Sequence, residues 1–363
     1  MLPDTVFLPD DYKQLISMPT LLGQTGQQED VYAIELRNGR GDSARILTLG
    51  AIIAELNISS RENGVVNAVL GYPQWRSYLK DTAFHGAVVG RYCNRIAHSQ
   101  FKLGSSHYQL DSNEGSHQLH GGPNGFHRRN WQLENCDAQS VSLSLRSPDG
   151  DQGYPGNLNI LLRYTLSDDG CLDIDWQAET DSDTVVSLTS HGYFNLAGYG
   201  DIGNHYLRIP ATHYTPTDGS HIPTGEILPV KNTNLDLQRF KQLSDVLDST
   251  EPSIEQYGGL DHNWARGESG KMRLSAELLC LETNLLLQVS STLPGLQCYT
   301  GNHLAANGIH GCHEGVCLEP QHYPNSPNEP HFPSALLRAG EAISHQLHYR
   351  FKQVDAREIL AHG

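Results

Sequence analysis

The chain is short of basic residues. Its 363 residues carry 25 Lys and Arg against 41 Asp and Glu, a formal net charge of -16 at pH 7. Nucleic-acid binding draws its affinity from clustered Lys and Arg, so no nucleic-acid partner is expected. Long apolar runs are also missing: none approaches the roughly 20 residues of a spanning helix, and no membrane partner is expected either. The N-terminus, MLPDTVFLPDDYKQ, has acids where a secretory signal has bases, and no apolar stretch follows it. Seven cysteines are scattered without a C-x-x-C pair, which points to reduced thiols and a cytoplasmic location rather than a disulfide frame. With no secretory signal, Asn57-Ile58-Ser59 reads as strand sequence and not as a glycosylation acceptor.

Signature motifs are absent too: there is no H-E-x-x-H, G-x-S-x-G, G-x-G-x-x-G or P-loop. His310, Cys312, His313 and Cys317 have zinc-binding atoms, but their spacing matches none of the usual patterns. Zinc is the lesser reading of this segment, which fits equally well as a loop before a strand.

What is present is turn and strand. With 35 Gly, 18 Pro and only 18% charged residues, the chain has many turns and few candidate surface helices. From Val31 onward, short alternating or apolar runs such as VYAIELR, LNILLRYTL, CLDIDWQA and NLLLQVSS are separated by turn signals, among them Asn38-Gly39, Asn63-Gly64 and Asp218-Gly219. Only SDVLDS near Val246 and WRSYLKD near Tyr78 read as helices. No repeat of 20 to 50 residues is visible. The expectation is an all-β fold, one large β-sandwich domain over residues 29–363, with residues 1–28 as a polar N-terminal extension.

Polar blocks interrupt the strands. In Val88–Phe101, Arg91, Asn94 and Arg95 sit among apolar residues; guanidinium beside amide can donate several hydrogen bonds to hydroxyls, or an arginine can simply tie a loop to carbonyls. In Asn113–Trp131, His117, His120 and His127 flank Gly121-Gly122, and His120, next to the glycines, is best placed to enter a cleft. In Leu188–Gly198, alternation puts His191 on one face with Thr189 and Tyr193. Gly259–Trp264 offers Asp261 as an acceptor and Trp264 as an apolar platform or a core residue. In Val316–Ser334, Glu319 ends an apolar run among Pro320, Pro324, Pro327, Pro330 and Pro333. Each proline fixes a backbone angle and removes a donor, so this segment is expected to be a shaped loop outside the sheet. Histidine and carboxylate with amides, arginine and aromatics suit proton transfer on a polyhydroxylated substrate.

In order, GRYCNRIA, HQLHGG, GFHRRNW, LTSHGYFNLAG, TPTDGSHIPTGEI, GLDHNW, LQCYTGN and LEPQHYPNSPNEPHFPS resemble the galactose mutarotase (aldose 1-epimerase) family, from about Ile34 to about Phe351. The resemblance implies a galactose-mutarotase-type β-sandwich, free of metal and cofactor, monomeric or homodimeric, that interconverts the α and β anomers of D-galactose and D-glucose. By matching motif positions, Glu319 is the general base and His191 the general acid, while Asn94, Arg95, His120, Tyr193, Asp261 and Gln297 line the sugar site. With reference values of about 4.3 and 6.5, neither proton-transfer group needs an extreme shift, and Glu319 and Asp261 nearby would favour the His191 imidazolium. Four positions depart from the family pattern: Cys93, Ser190, Gly192 and Asn325. They put substrate preference in question, Asn325 first. A hexose-6-phosphate 1-epimerase on this fold would add a basic cluster, which the sequence lacks. A non-catalytic sugar-binding protein would not need acid and base together.

Overall fold

The computed structural model describes residues 18–61 and 63–362. Strand sequences pair where alternation allows one face to be buried. Leu158–Leu166 buries Leu158, Ile160, Leu162, Tyr164 and Leu166 and turns Asn159, Leu161 and Arg163 outward, the period of two that a half-buried strand requires. Three larger sheets result, all antiparallel in their pairings. One is a meander of five strands between Thr20 and Asn67. The second has nine strands, with Leu158–Leu166, Cys171–Thr180, Ala342–Gln353 and Leu285–Ser291 adjacent at its centre.

The third sheet carries the site. Its six strands run in the spatial order Tyr193–Phe194, Val316–Gln321, Gly295–Tyr299, Asp261–Ala265, His213–Thr215, Leu228–Pro229. Side chains from all three sheets, Ile34 and Ile46, Leu162 and Trp176, Trp264 and Leu318 among them, meet in one buried core. Each fully buried Leu or Ile contributes about 1.5–3 kcal/mol against exposure.

Helices are few and short: Trp75–Tyr78, Leu243–Leu247, Pro252–Tyr257 and Ala356–His362. The first two are the expected ones. No helix among the described residues is long and apolar enough to cross a membrane. Of the expected extension, residues 1–17 lie outside the described residues, and Thr20–Gln24 pair with Asp30–Ala33 as the outermost strand of the meander.

Val316–Gln321 is a correction. It was expected to lie outside the sheet, yet it is a strand with a neighbour on each side. Pro320 is tolerated because Tyr193–Phe194 pairs only with Cys317 and Val316, so the ladder on that side has ended before the missing amide is reached. The prolines beyond it do shape a loop, with a single 3-10 turn at Ser326–Asn328.

Candidate active site

Register decides what the third sheet presents. Asp261, Tyr299 and Cys317 are directly opposed across three strands, as are Asn263, Gln297 and Glu319, and then Ala265, Gly295 and Gln321. Opposed residues share a face, so one side of the sheet is a polar array. The intervening Trp264, Leu296, Cys298 and Leu318 point the other way, into the core. Trp264 is therefore a core residue, with Nε1 donating to the Leu235 carbonyl at 3.2 Å, and not a sugar platform.

Over the polar array lies a cavity of about 370 Å³, lined by Asn94, Arg95, His120, His191, Tyr193, Asp261, Gln297 and Glu319. All eight residues expected at the site thus meet in one place. Phe84, Glu114, His221, Tyr299 and His303 join them; none had been singled out. His221 lay inside a quoted motif, just after the turn at Asp218-Gly219. Glu114 stood in the same block as His120.

Loops bring the remaining groups in at close quarters. A Cβ on Gly121 would sit 1.8 Å from the Gly90 carbonyl oxygen, so only glycine lets the His120 loop pack there. Phe84, Asn94, His120 and His221 all adopt left-handed backbone, with φ of 60°, 62°, 52° and 59°. Non-glycine residues held this way cluster at functional sites.

Each polar group has a defined role in the array. Arg95 Nε and Nη2 donate to Glu114 Oε2 and Oε1 at 2.6 and 2.7 Å, a bidentate fork. Gln297 Nε2 donates to Asp261 Oδ1 at 2.5 Å, and His221 Nδ1 lies 3.2 Å from Asp261 Oδ2. Burial opposes the Asp261 charge, but His221 and Arg95 outweigh it and hold the carboxyl below its usual range. His191 Nε2 stands 3.8 Å from Glu319 Oε1. Among the described residues, Glu319 Oε2 and Gln297 Oε1 are buried with no hydrogen-bond partner, leaving acceptors for a ligand.

Burial governs the proton-transfer groups. It pushes Glu319 well above the usual carboxylate range, Asp261 adding to the effect and Arg95 opposing it. It pushes His191 down to about 4. The expectation of modest shifts and a favoured imidazolium is therefore corrected: desolvation of both charges exceeds the attraction of the neighbouring carboxylates.

His120, His191 and Glu319 each place one donor atom within 4.8 Å of the others, close enough to test as a metal set. The Asn94 amide donates to His120 Nδ1 at 3.1 Å. The neutral ring then carries its proton on Nε2 and keeps no lone pair for a metal. The cluster suits a hydrogen-bond donor beside an acid–base pair. His310, Cys312, His313 and Cys317 do not converge: His310 faces Glu314 and the Gly71 carbonyl, His313 the Thr300 carbonyl, and Cys317 His191.

Several singled-out residues lie away from the cavity. Arg91 donates to the carbonyls of Pro155 and Gly156, both at 2.9 Å, the loop-tying alternative. His117 accepts the His98 amide. Among the four departures, Cys93 packs on Ser187. Asn325 accepts the Ala97 amide and donates its own to the Arg95 carbonyl. None of Cys93, Ser190, Gly192 and Asn325 lines the cavity.

Residues 32–350 match the sequence family described as aldose 1-epimerase. The chain belongs to the aldose 1-epimerase family. Its similarity to the galactose mutarotase of Mus musculus is 38% identity over 317 residues, 85% of this chain and 91% of the relative. With the aldose 1-epimerase of Escherichia coli K12 it is 35% over 331 residues, 88% and 94% of the two chains. A crystal structure of an aldose epimerase homologue from C. elegans superposes with a TM-score of 0.83 at 30% identity, covering 89% of this chain and 99% of the other. The galactose 1-epimerase structure from Lactobacillus acidophilus gives 0.82 at 27%, covering 93% and 99%. The fold is the galactose-mutarotase β-sandwich, and the activity is that of an isomerase acting on aldoses.

Proposed function

We propose that this aldose 1-epimerase interconverts the anomers of unphosphorylated hexoses, D-galactose and D-glucose, with Glu319 as general base and His191 as general acid. The observation that carries the reading is the pair itself. A buried carboxylate and a buried imidazole stand 3.8 Å apart at one wall of the cavity, and Glu319 Oε2 has no hydrogen-bond partner among the described residues.

Ring opening takes a proton from the C1 hydroxyl and gives one to the ring oxygen. The step starts from the form of the pair that carries its one proton on His191: Glu319 receives the first and His191 supplies the second; the C1–ring oxygen bond breaks and a C1 carbonyl forms. Rotation about C1–C2 presents the other carbonyl face, and closure runs the two transfers backwards. The pair ends with the protons it began with, so no external acid or base is consumed. His120, with its proton on Nε2, and Arg95 act as preorganised donors to oxygens that gain charge. Asp261 and Gln297 Oε1 accept from sugar hydroxyls, and Tyr193 packs against the ring.

Charge favours a neutral sugar. Among the described residues Arg95 is the only Lys or Arg lining the cavity, and Glu114 already occupies its fork. Asp261 and Glu319 stand against a phosphate. The seven scattered cysteines, with no C-x-x-C spacing, fit reduced thiols and action in the cytoplasm; the protein acts on free sugar as a monomer or homodimer.

The test is proton-exchange NMR of anomers with freshly dissolved α-D-galactose and α-D-glucose. Faster approach to equilibrium is expected. Saturable galactose binding without acceleration would point instead to a sugar-binding protein, and inhibition by inorganic phosphate competing with sugar to a 6-phosphate epimerase.

A further inference from the structure

Beside the cavity lies a second buried polar group that the reaction does not use. Asp81 is 7% exposed and His85 fully buried. The Asp81 carboxylate accepts four donors. Its Oδ1 takes the Ala83 amide at 2.9 Å and the Tyr72 hydroxyl at 2.8 Å, and its Oδ2 the His85 amide at 2.7 Å. His85 Nδ1 lies 3.2 and 3.3 Å from the two oxygens. A carboxylate that binds amides two and four residues along its own chain fixes the path of the turn between them.

That turn holds the proposed acid. The Gly86 amide donates to the His191 carbonyl at 3.0 Å, and the His191 amide donates to the Ala87 carbonyl at 2.9 Å. Behind it, the Ile53 amide donates to the Gly86 carbonyl at 2.9 Å. A Cβ on Gly86 would fall 2.2 Å from the Ile53 carbonyl oxygen, so the turn is pressed onto the first sheet. At its tip Phe84 adopts a φ of 60°, and its ring centroid lies 4.6 Å from His120 and 5.6 Å from His191. His85 stacks 4.9 Å from Tyr193, whose ring is in turn 5.1 Å from His191. Main chain and ring of His191 are thus both set by a turn whose shape Asp81 dictates.

We propose that Asp81 is a positioning residue for His191, acting through the turn Asp81–Ala87 and the Phe84 ring. The inference rests on His191 being the acid. Asp81 does not itself line the cavity; its effect falls on where His191 stands, and a displaced catalytic group loses rate before it loses affinity.

The test uses Asp81→Asn, which keeps one acceptor for the Ala83 amide, and Asp81→Ala, which keeps none. In anomer-exchange NMR, kcat is expected to fall about 10-fold in the first and about 100-fold in the second, with KM within about twofold. The His191 ring proton signal, identified by its loss in His191→Gln, should shift in both variants and in Phe84→Leu as the aromatic wall moves or disappears. A kcat within twofold of wild type, a rise in KM with kcat unchanged, or an unshifted His191 signal in Asp81→Asn overturns the role. If Asp81→Ala does not fold, the Asn variant decides. A wild-type protein without exchange activity would overturn the functional reading, and the His191 signal would still decide whether Asp81 sets its position.

Discussion

Glu319 Oε1 lies 3.8 Å from His191 Nε2, both side chains almost wholly buried. That separation is beyond a direct hydrogen bond. Each group is therefore left with bonding capacity for a substrate, and each lacks the solvent that would stabilise its charge.

Removing either group should stop the chemistry. Glu319→Gln and His191→Gln are each expected to lower kcat by about 10²–10⁴-fold, the usual worth of a general acid or base. Galactose affinity should change little. Anomer-exchange rates within tenfold of wild type in either variant would remove that residue from the mechanism.

The pH profile follows from the shared proton. The active pair holds one proton, and burial lowers the His191 value to about 4 while raising Glu319. Acid loss of activity, by a second protonation, is expected near pH 4. Alkaline loss is expected only after the pair gives up its single proton, above the ordinary carboxylate range. The apparent values belong to the pair. An alkaline limb that falls within the ordinary carboxylate range would contradict the burial argument.

Asp261 should act through affinity. It accepts from Gln297 and adjoins His221, and a hydrogen bond to a charged group is worth about 1.5–3 kcal/mol. Asp261→Asn is expected to raise KM by about 10–100-fold, read from the sugar dependence of the exchange rate. An unchanged KM would place the sugar elsewhere.

Trp264 separates core from site. Trp264→Ala should cost about 3–5 kcal/mol of stability, measured by urea unfolding. Trp264→Phe should leave KM for galactose within twofold. A large KM effect in the phenylalanine variant would restore the platform reading.

Acid stability has a histidine component. His205 is buried, accepts the Leu196 amide through Nε2, and is pushed down to about 4 by burial. Its unfolded value is about 6.5, so between pH 6.5 and 4 the unfolded chain binds the proton first and stability falls with pH. The loss from this group is on the order of 3 kcal/mol. Thermal melting should decline over that window, and His205→Gln should flatten part of the slope. A melting temperature constant from pH 7 to 4.5 would contradict this.

Strands such as Leu158–Leu166 were legible in the sequence because alternation is a local signal. The eight site residues were legible as motifs, but their convergence depends on cross-strand register, which single runs do not encode. Pro320 misled because a proline's cost depends on whether a neighbouring strand reaches it, and that is a tertiary fact. The same holds for Asn325: a change inside a motif looked like a change of specificity, yet the side chain ties the loop to the main chain behind Arg95. The shifts of Glu319 and His191 were unreadable because proximity can be inferred from sequence while depth of burial cannot.

The two faces of Val316–Gln321 are separated by a single residue step. Deleting or inserting one residue in this strand would turn Leu318 toward the sugar and Glu319 into the core. Length is thus the least negotiable property of this segment: a substitution alters one position, but an odd-numbered change in length exchanges inside for outside along all of it.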